Sequence, residues 1–314
     1  MENELRDFPK QCRYAASLEN NIKINDINKI VIVGVGGSAF PADVLNALCE
    51  DEVDIFANRD YNIIGKANKN TLVFVVSYSG NTEEAISSFD DALKKGCNII
   101  GIFSGGILET KCKENGIDFI KVPSGIEPRN ALGYLLIPII NILTKNKIIS
   151  DKGIDVMLND IDNPAIEVEG KRIANILFNK IPIIYSSRKF GCVSYGWKTR
   201  LNENSKIPVF SNVFPELNHN EINGYVRNTE NFHVIMIEDD NDHPRIKKRF
   251  SVTKDIIEKN NVKCTSLKTI GSNMVSKIFC TLYIANWVSY YLALKYGIDP
   301  KPVSVIEDLK KKLS

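Results

Sequence analysis

The sequence predicts an α/β protein built as two halves of similar plan, each a parallel sheet flanked by helices. Three observations carry this. From residue 29 onward short β-branched runs alternate with amphipathic stretches of roughly 10 to 17 residues, the pattern of strands joined by crossover helices. A polar stretch rich in Asp and Asn, Lys145–Glu169 with Pro164, then breaks the rhythm. Beyond it the alternation restarts. A chain of 314 residues is also long enough for two cores of ordinary domain size.

In order along the chain, the first strands are expected at Lys29–Val35, Val53–Phe56, Thr71–Ser77, Cys97–Phe103 and Asp118–Val122. Between them Phe40, Val44, Leu45 and Leu48 share one helical face, as do Ile86, Phe89 and Leu93, giving two apolar stripes to lay on the sheet. In the second half, Ile181–Ser186, Phe232–Glu238 and Val262–Lys268 read as strands, and a long apolar helix runs from Ser272 to Tyr296. The expected organisation is an N-terminal helical segment (1–28), a first domain (29–147), a linker (148–170) and a second domain with a C-terminal helix (171–314).

Composition narrows the function classes. Lys plus Arg number 40 against 38 Asp plus Glu, a net charge of +2, which lacks the basic stripe of a nucleic-acid-binding domain. The longest charge-free runs, Ala131–Thr144 and Ile278–Leu294, fall short of the ~20 residues of a membrane span. The second also carries Thr281, Asn286 and Ser289, which suit a buried helix better than a lipid-facing one. The acidic N-terminus has no signal-peptide pattern, and seven cysteines without a Cys-x-x-Cys motif read as reduced core residues. A cytoplasmic protein with no nucleic-acid or membrane partner is expected.

Gly34-Val35-Gly36-Gly37-Ser38-Ala39 follows a strand and opens a helix, where free backbone N–H groups attract an anion. Alone it fits a dinucleotide fingerprint, with Asp54 as the ribose acid, or a tight turn that binds nothing. The next strand end, Ser77-Tyr78-Ser79-Gly80-Asn81-Thr82-Glu83-Glu84, offers more hydroxyls than one helix cap needs. Two such neighbouring loops would surround one phosphate with neutral donors, which favours a sugar phosphate over a dinucleotide.

Two further stretches hold groups suited to proton transfer. Pro128-Arg129-Asn130 starts one helix, Glu203 ends another in Leu201-Asn202-Glu203-Asn204-Ser205-Lys206, and His219 lies in Pro215-Glu216-Leu217-Asn218-His219-Asn220-Glu221. Each has a plainer reading as solvated surface, ion-pair partner or structural histidine.

The double loop motif resembles the sugar isomerase (SIS) fold family. The whole set, from about residue 30 to the end, resembles the bifunctional phosphoglucose/phosphomannose isomerases within it. That resemblance implies two SIS-type, flavodoxin-like domains and reversible isomerisation of hexose 6-phosphates between aldose and ketose forms. It implies phosphate binding by Gly36, Gly37, Ser38, Ser77, Ser79 and Thr82, a catalytic base in Glu203, and Arg129 facing the enediolate. His219 would assist ring opening, and Lys310 would be a further catalytic group. The place of a hydroxyl found in some relatives falls on Val303 or Ser304. The resemblance also implies a homodimer with His219 contributed across the interface.

The residue types suit the chemistry. One carboxylate can remove a proton from one carbon of a cis-enediol and return it to the next. A fixed guanidinium suits the oxygens that gain charge, and a histidine can move a ring-opening proton near neutral pH. No metal or other cofactor is expected, because His219, His233 and His243 are the only histidines and lack ligand-pair spacing. The alternative reading is a non-catalytic phosphosugar-binding regulator. Only 28 residues precede the first strand, too little for the DNA-binding domain such regulators add.

Overall fold

The computed structural model describes residues 1–227 and 231–313. Helices α1 (Glu2–Arg6) and α2 (Phe8–Ser17) precede a first sheet. Its elements run β1 (Lys29–Val33), α3 (Phe40–Cys49), β2 (Ile55–Asn58), β3 (Thr71–Val76), α4 (Glu83–Lys94), β4 (Asn98–Phe103), α5 (Gly106–Glu114), β5 (Phe119–Lys121) and α6 (Leu132–Lys145). After α7 (Ile154–Asp160) and α8 (Ala165–Leu177) come β6 (Ile181–Ser187), α9 (Gly191–Ser205), β7 (Phe210–Phe214), β8 (Phe232–Glu238), α10 (Pro244–Lys259) and β9 (Lys263–Lys268). The chain closes with α11 (Met274–Lys295) and α12 (Ser304–Leu313).

The chain divides into two compact units. The first holds Arg6–Asp162 with Ser272–Ser276, and the second holds Met1–Leu5, Asn163–Gly271 and Lys277–Ser314. Thus α2 belongs to the first unit, and residues 148–170, expected as a linker, carry α7 and the start of α8.

The first sheet is parallel, in the order β2-β1-β3-β4-β5, the flavodoxin-like arrangement with its switch point between β1 and β3. Val31 and Val33 of β1 and Val73 and Val75 of β3 share a cluster with Ala85, Phe89 and Ala92 of α4 and Leu108 and Cys112 of α5. All of β3 is buried, as a strand covered on both faces must be, and its Thr-Leu-Val-Phe-Val-Val run shows no alternation for that reason. The buried face of α4 is Ala85, Ser88, Phe89 and Ala92. Leu93, expected on the stripe, is 37% exposed: small residues turn the face away from it.

The second sheet is parallel in the order β7-β6-β8-β9, repeating the plan with one strand fewer. Strand β7 carries no apolar alternation and was not expected from the sequence. It is an edge strand between Pro208 and Pro215, and only Phe214 is buried, so its pairing with β6, Ile183 to Phe210 through Ser187 to Phe214, is decided by the sheet and not by local pattern. Side chains alternate across β6. Ile183 and Tyr185 pack with Phe250 and Ile257 of α10, whereas Ser186 Oγ, on the other face, donates to Ser194 Oγ of α9 at 3.1 Å.

His233 is buried in β8 with Nε2 2.8 Å from Thr265 Oγ1 of β9. Burial first, and the Lys180 and Lys263 charges after it, pull its pKa down to about 4. Unfolding frees it to titrate near 6.5, so the unfolded state binds the extra proton between those values. This site's stability is therefore full above pH 6.5 and is lost as pH falls toward 4, by about 3 kcal/mol. We expect His233→Gln to flatten the fall of the melting temperature between pH 6.5 and 4, as measured by circular dichroism; an unchanged slope would refute it.

Candidate active site

Three loops of the first unit meet at the C-terminal ends of β1 and β3. After β1 the chain leaves the ladder at Gly34, whose N–H donates to Asn58 O (3.1 Å), and makes a 3-10 turn over Gly36–Ser38 before α3. A Cβ on Gly37 would stand 2.8 Å from Pro128 O and 3.1 Å from Arg129 Cα. The absence of a side chain is what lets the 3-10 turn Pro128–Asn130 seat against this loop. Ser38 Oγ accepts from Tyr78 N at 3.0 Å, which joins the β1 loop to the β3 loop.

Inside the β3 loop, Ser77 Oγ lies 2.8 Å from Thr82 Oγ1 and accepts from Gly80 N at 3.1 Å. Ser79 Oγ accepts from Asn81 N at 3.2 Å. Gly80 adopts φ +70, and a Cβ there would meet Gly105 O at 1.7 Å, so glycine is required where this loop presses on the β4–α5 connection. Thr82 stands at the N-cap of α4 but makes no capping bond. Of the four hydroxyls, one O–H is spent within the Ser77–Thr82 pair, which leaves three to donate to an anion. Ser38 and Ser77 are buried, Thr82 is half-buried, and Gly36 and Ser79 are exposed at the mouth.

Arg129 is 7% exposed, and its Nη1 lies 3.1 Å from Glu127 Oε2. The segment before it is braced by Tyr78, whose hydroxyl donates to Pro123 O (2.9 Å) and accepts from Ile126 N (3.3 Å). Buried Gln11 of α2 donates to Asn130 O (3.0 Å) and accepts from Gly133 N (2.8 Å), holding the start of α6. Tyr78, Glu127 and Gln11 escaped sequence reasoning. The contacts of Tyr78 and Gln11 span 45 to 122 residues of chain, and Glu127, only two residues from Arg129, stands in a loop with no pattern to mark it.

Asp54 does not serve the glycine loop. Its carbonyl accepts from Ile30 N at the start of β1 (2.9 Å), so it lies at the far end of the strands, and the residue ending β2 beside the loop is Asn58, paired with Val33. The dinucleotide reading lacks its ribose acid.

In the second unit, Glu203 sits in the last turn of α9 and lines a cleft of about 580 Å³ with Asn202, Lys206, Val303 and Ser304. Lys206, in the left-handed region with φ +57, ends the helix and places Nζ against the Glu203 carbonyl and Pro300 O. Val303 and Ser304, the two positions on which the relatives' hydroxyl falls, both line this cleft. Lys310 lies on α12, whose described side chains are all exposed, about 9 Å along the helix axis from Ser304.

His219 ends the 3-10 turn Glu216–His219. Its neighbours are all tied down: Asn218 Nδ2 to Thr253 Oγ1 (2.8 Å), Asn220 Nδ2 to Glu216 Oε1 (2.9 Å), and Glu221 to the Tyr185 hydroxyl (2.9 Å). Burial pushes the Tyr185 and Tyr225 phenols up, so the pair stays protonated around Glu221. The histidine itself is exposed. Leu217 and Tyr225 of this segment join the Ile183, Tyr185 and α10 face of the second sheet, the face opposite α9. The segment that carries His219 and the helix that carries Glu203 therefore pack on opposite faces of the second sheet. Among the described residues no group of three or more His, Cys, Asp or Glu could hold a metal ion.

Residues 166–313 match the model of the bacterial phospho-glucose isomerase C-terminal SIS domain. The tagatose-6-phosphate ketose/aldose isomerase of Escherichia coli shares the fold, with a TM-score of 0.73 at 16% identity over 95% of this chain and 93% of that one. The bifunctional phosphoglucose/phosphomannose isomerase of Caldicellulosiruptor bescii is 37% identical, covering 100% of this chain and 99% of its own. Its counterpart in Thermoplasma volcanium is 36% identical, covering 99% and 98%. Likeness of this extent along the whole chain means that it belongs to the bifunctional phosphoglucose/phosphomannose isomerase family.

Proposed function

We propose that this protein interconverts aldose and ketose hexose 6-phosphates, glucose 6-phosphate with fructose 6-phosphate and mannose 6-phosphate with fructose 6-phosphate, by proton transfer through a cis-enediol. The observation that carries the reading is the junction of the Gly36–Ser38 turn, the Ser77–Thr82 loop and the Pro128–Asn130 turn on one unit. It presents amides and hydroxyls to a phosphate at the switch point of the sheet. Relatives similar along the whole chain are isomerases of these two sugars.

In this scheme Gly36, Gly37, Ser38, Ser77, Ser79 and Thr82 hold the phosphate. Glu203 takes the proton from one carbon and returns it to its neighbour, and the Arg129 guanidinium stabilises the enediolate oxygens. His219 moves the ring-opening proton, and Lys310 is a further catalytic group. The chain works as a homodimer in the cytoplasm, without a metal or other cofactor. Packing of α9 and of the His219 segment on opposite faces of the second sheet supports the dimer, in which two chains contribute Glu203 and His219 to one site. No helix of the described residues is long and apolar enough to cross a membrane. Among them no disulfide joins the seven cysteines, six of which are buried, which supports a reducing compartment.

The test is to incubate pure protein with fructose 6-phosphate and a chelator and to follow both aldose phosphates. Formation of glucose 6-phosphate and mannose 6-phosphate is expected. Binding of fructose 6-phosphate without either product would replace the enzyme by a phosphosugar-binding regulator.

A further inference from the structure

Helix α9 is tied to α11 by a buried polar seam. Trp197 Nε1 donates to Thr281 O (3.0 Å), Arg200 Nε to Asn286 Oδ1 (2.5 Å), Asn204 Nδ2 to Ser289 Oγ (2.8 Å), and Ser205 Oγ to Ser289 O (2.8 Å). The hydroxyl of Ser289 in turn donates to Asn286 O at 2.9 Å. An apolar helix contact tolerates small rotations, but here a rotation would strand buried donors and acceptors, so the seam fixes how α9 faces the cleft.

Arg200 is the charged member of this seam. It is 5% exposed, its Nη1 donates to Gly196 O (3.0 Å), and it lies one helical turn before Glu203, at the i,i+3 spacing that makes side chains neighbours. Burial pulls the guanidinium down to about 10, and the Glu203 charge acts in the opposite direction. A buried cation is costly without an anion to answer it, and the attraction is mutual: the field that Glu203 exerts on Arg200 is returned.

We propose that Arg200, held by Asn286, is the positioning residue of Glu203, aiming its carboxylate into the cleft and keeping it ionised there. The inference rests on Glu203 being the base. Among the described residues that line the cleft, Lys206 is the other charged one, on the Glu203 carbonyl, and beyond the cleft Glu2 of α1 accepts from Tyr290, one turn past Asn286 on α11. From α11 the seam presents neutral Asn286 and Ser289, and residues 303–306 on the far wall of the cleft are uncharged.

The experiment is the pH profile of kcat/KM for Arg200→Met and Arg200→Gln, whose acidic limb reports ionisation of the base. We expect the limb to move up by about one pH unit, the effect of losing one adjacent opposite charge, with kcat reduced more than KM, and Arg200→Lys to restore the limb. A purely structural role would leave the limb in place, and an unmoved limb in folded neutral variants would overturn the proposal. If neither neutral variant accumulates as folded protein, the carboxyl-carbon NMR titration of Glu203 in the wild type decides, with the resonance assigned by its loss in Glu203→Gln. A midpoint below the ordinary glutamate value of about 4.3 supports the proposal, and one at or above it refutes it. Turnover by Glu203→Gln would instead remove the base assignment, an outcome separate from the field that Arg200 exerts.

Discussion

Replacing Glu203 by glutamine is expected to lower kcat about 10³-fold, within the range for a positioned proton-transfer group, while KM shifts by less than about threefold. Glutamine keeps the size of glutamate but cannot hold the migrating proton. The seam that sets α9 uses Trp197, Arg200, Asn204 and Ser205, so the helix keeps its bonds to α11. Phosphate binding is assigned to loops of the other unit and should persist. The direct measurement is exchange of the carbon-two proton of the sugar phosphate with deuterated water, which should stop together with isomerisation. Continued exchange at the wild-type rate would take the role of base away from Glu203.

Mixing two inactive proteins should restore activity. Glu203 lies on the α9 side of the second sheet, and the His219 segment packs on the α10 side, so a site that uses both draws them from two chains. A heterodimer of Glu203→Gln and His219→Ala chains then has one site with both lesions and one with neither. With random pairing, half of the dimers are mixed and half of their sites are intact, so about a quarter of wild-type activity should return. Denaturing and refolding the two variants together, then assaying fructose 6-phosphate conversion, makes the measurement. Recovery no greater than the sum of the two variants refolded alone would show that each chain builds its own site.

Some of this was legible in the sequence and some was not. Val31, Val33, Val73 and Val75 announce buried strands because β-branched residues leave the chain few alternatives, and the Gly-rich and hydroxyl-rich stretches announce strand-to-helix loops because their chemistry is local. Strand β7 was missed because an edge strand buries little, and Leu93 was misplaced because Ala85 and Ser88 can form a core face without being apolar in bulk. In the sequence Thr281, Asn286 and Ser289 say only that their helix does not face lipid. In the structure Asn286 and Ser289 hold Arg200 and Asn204, and the Thr281 carbonyl holds Trp197.

Periodicity and a few adjacent residues are enough to specify the two α/β halves, the parallel sheets and the residue types able to bind phosphate and move a proton. Contacts between residues far apart in sequence set Gly37 against the Arg129 turn, put Asp54 at the other end of the strands from the glycine loop, tie Arg200 to Asn286, and lay α9 and the His219 segment on opposite faces of the second sheet. Those outcomes depend on strand register and on the face each crossover takes. The hydrophobic pattern says that a surface is buried, but not against what.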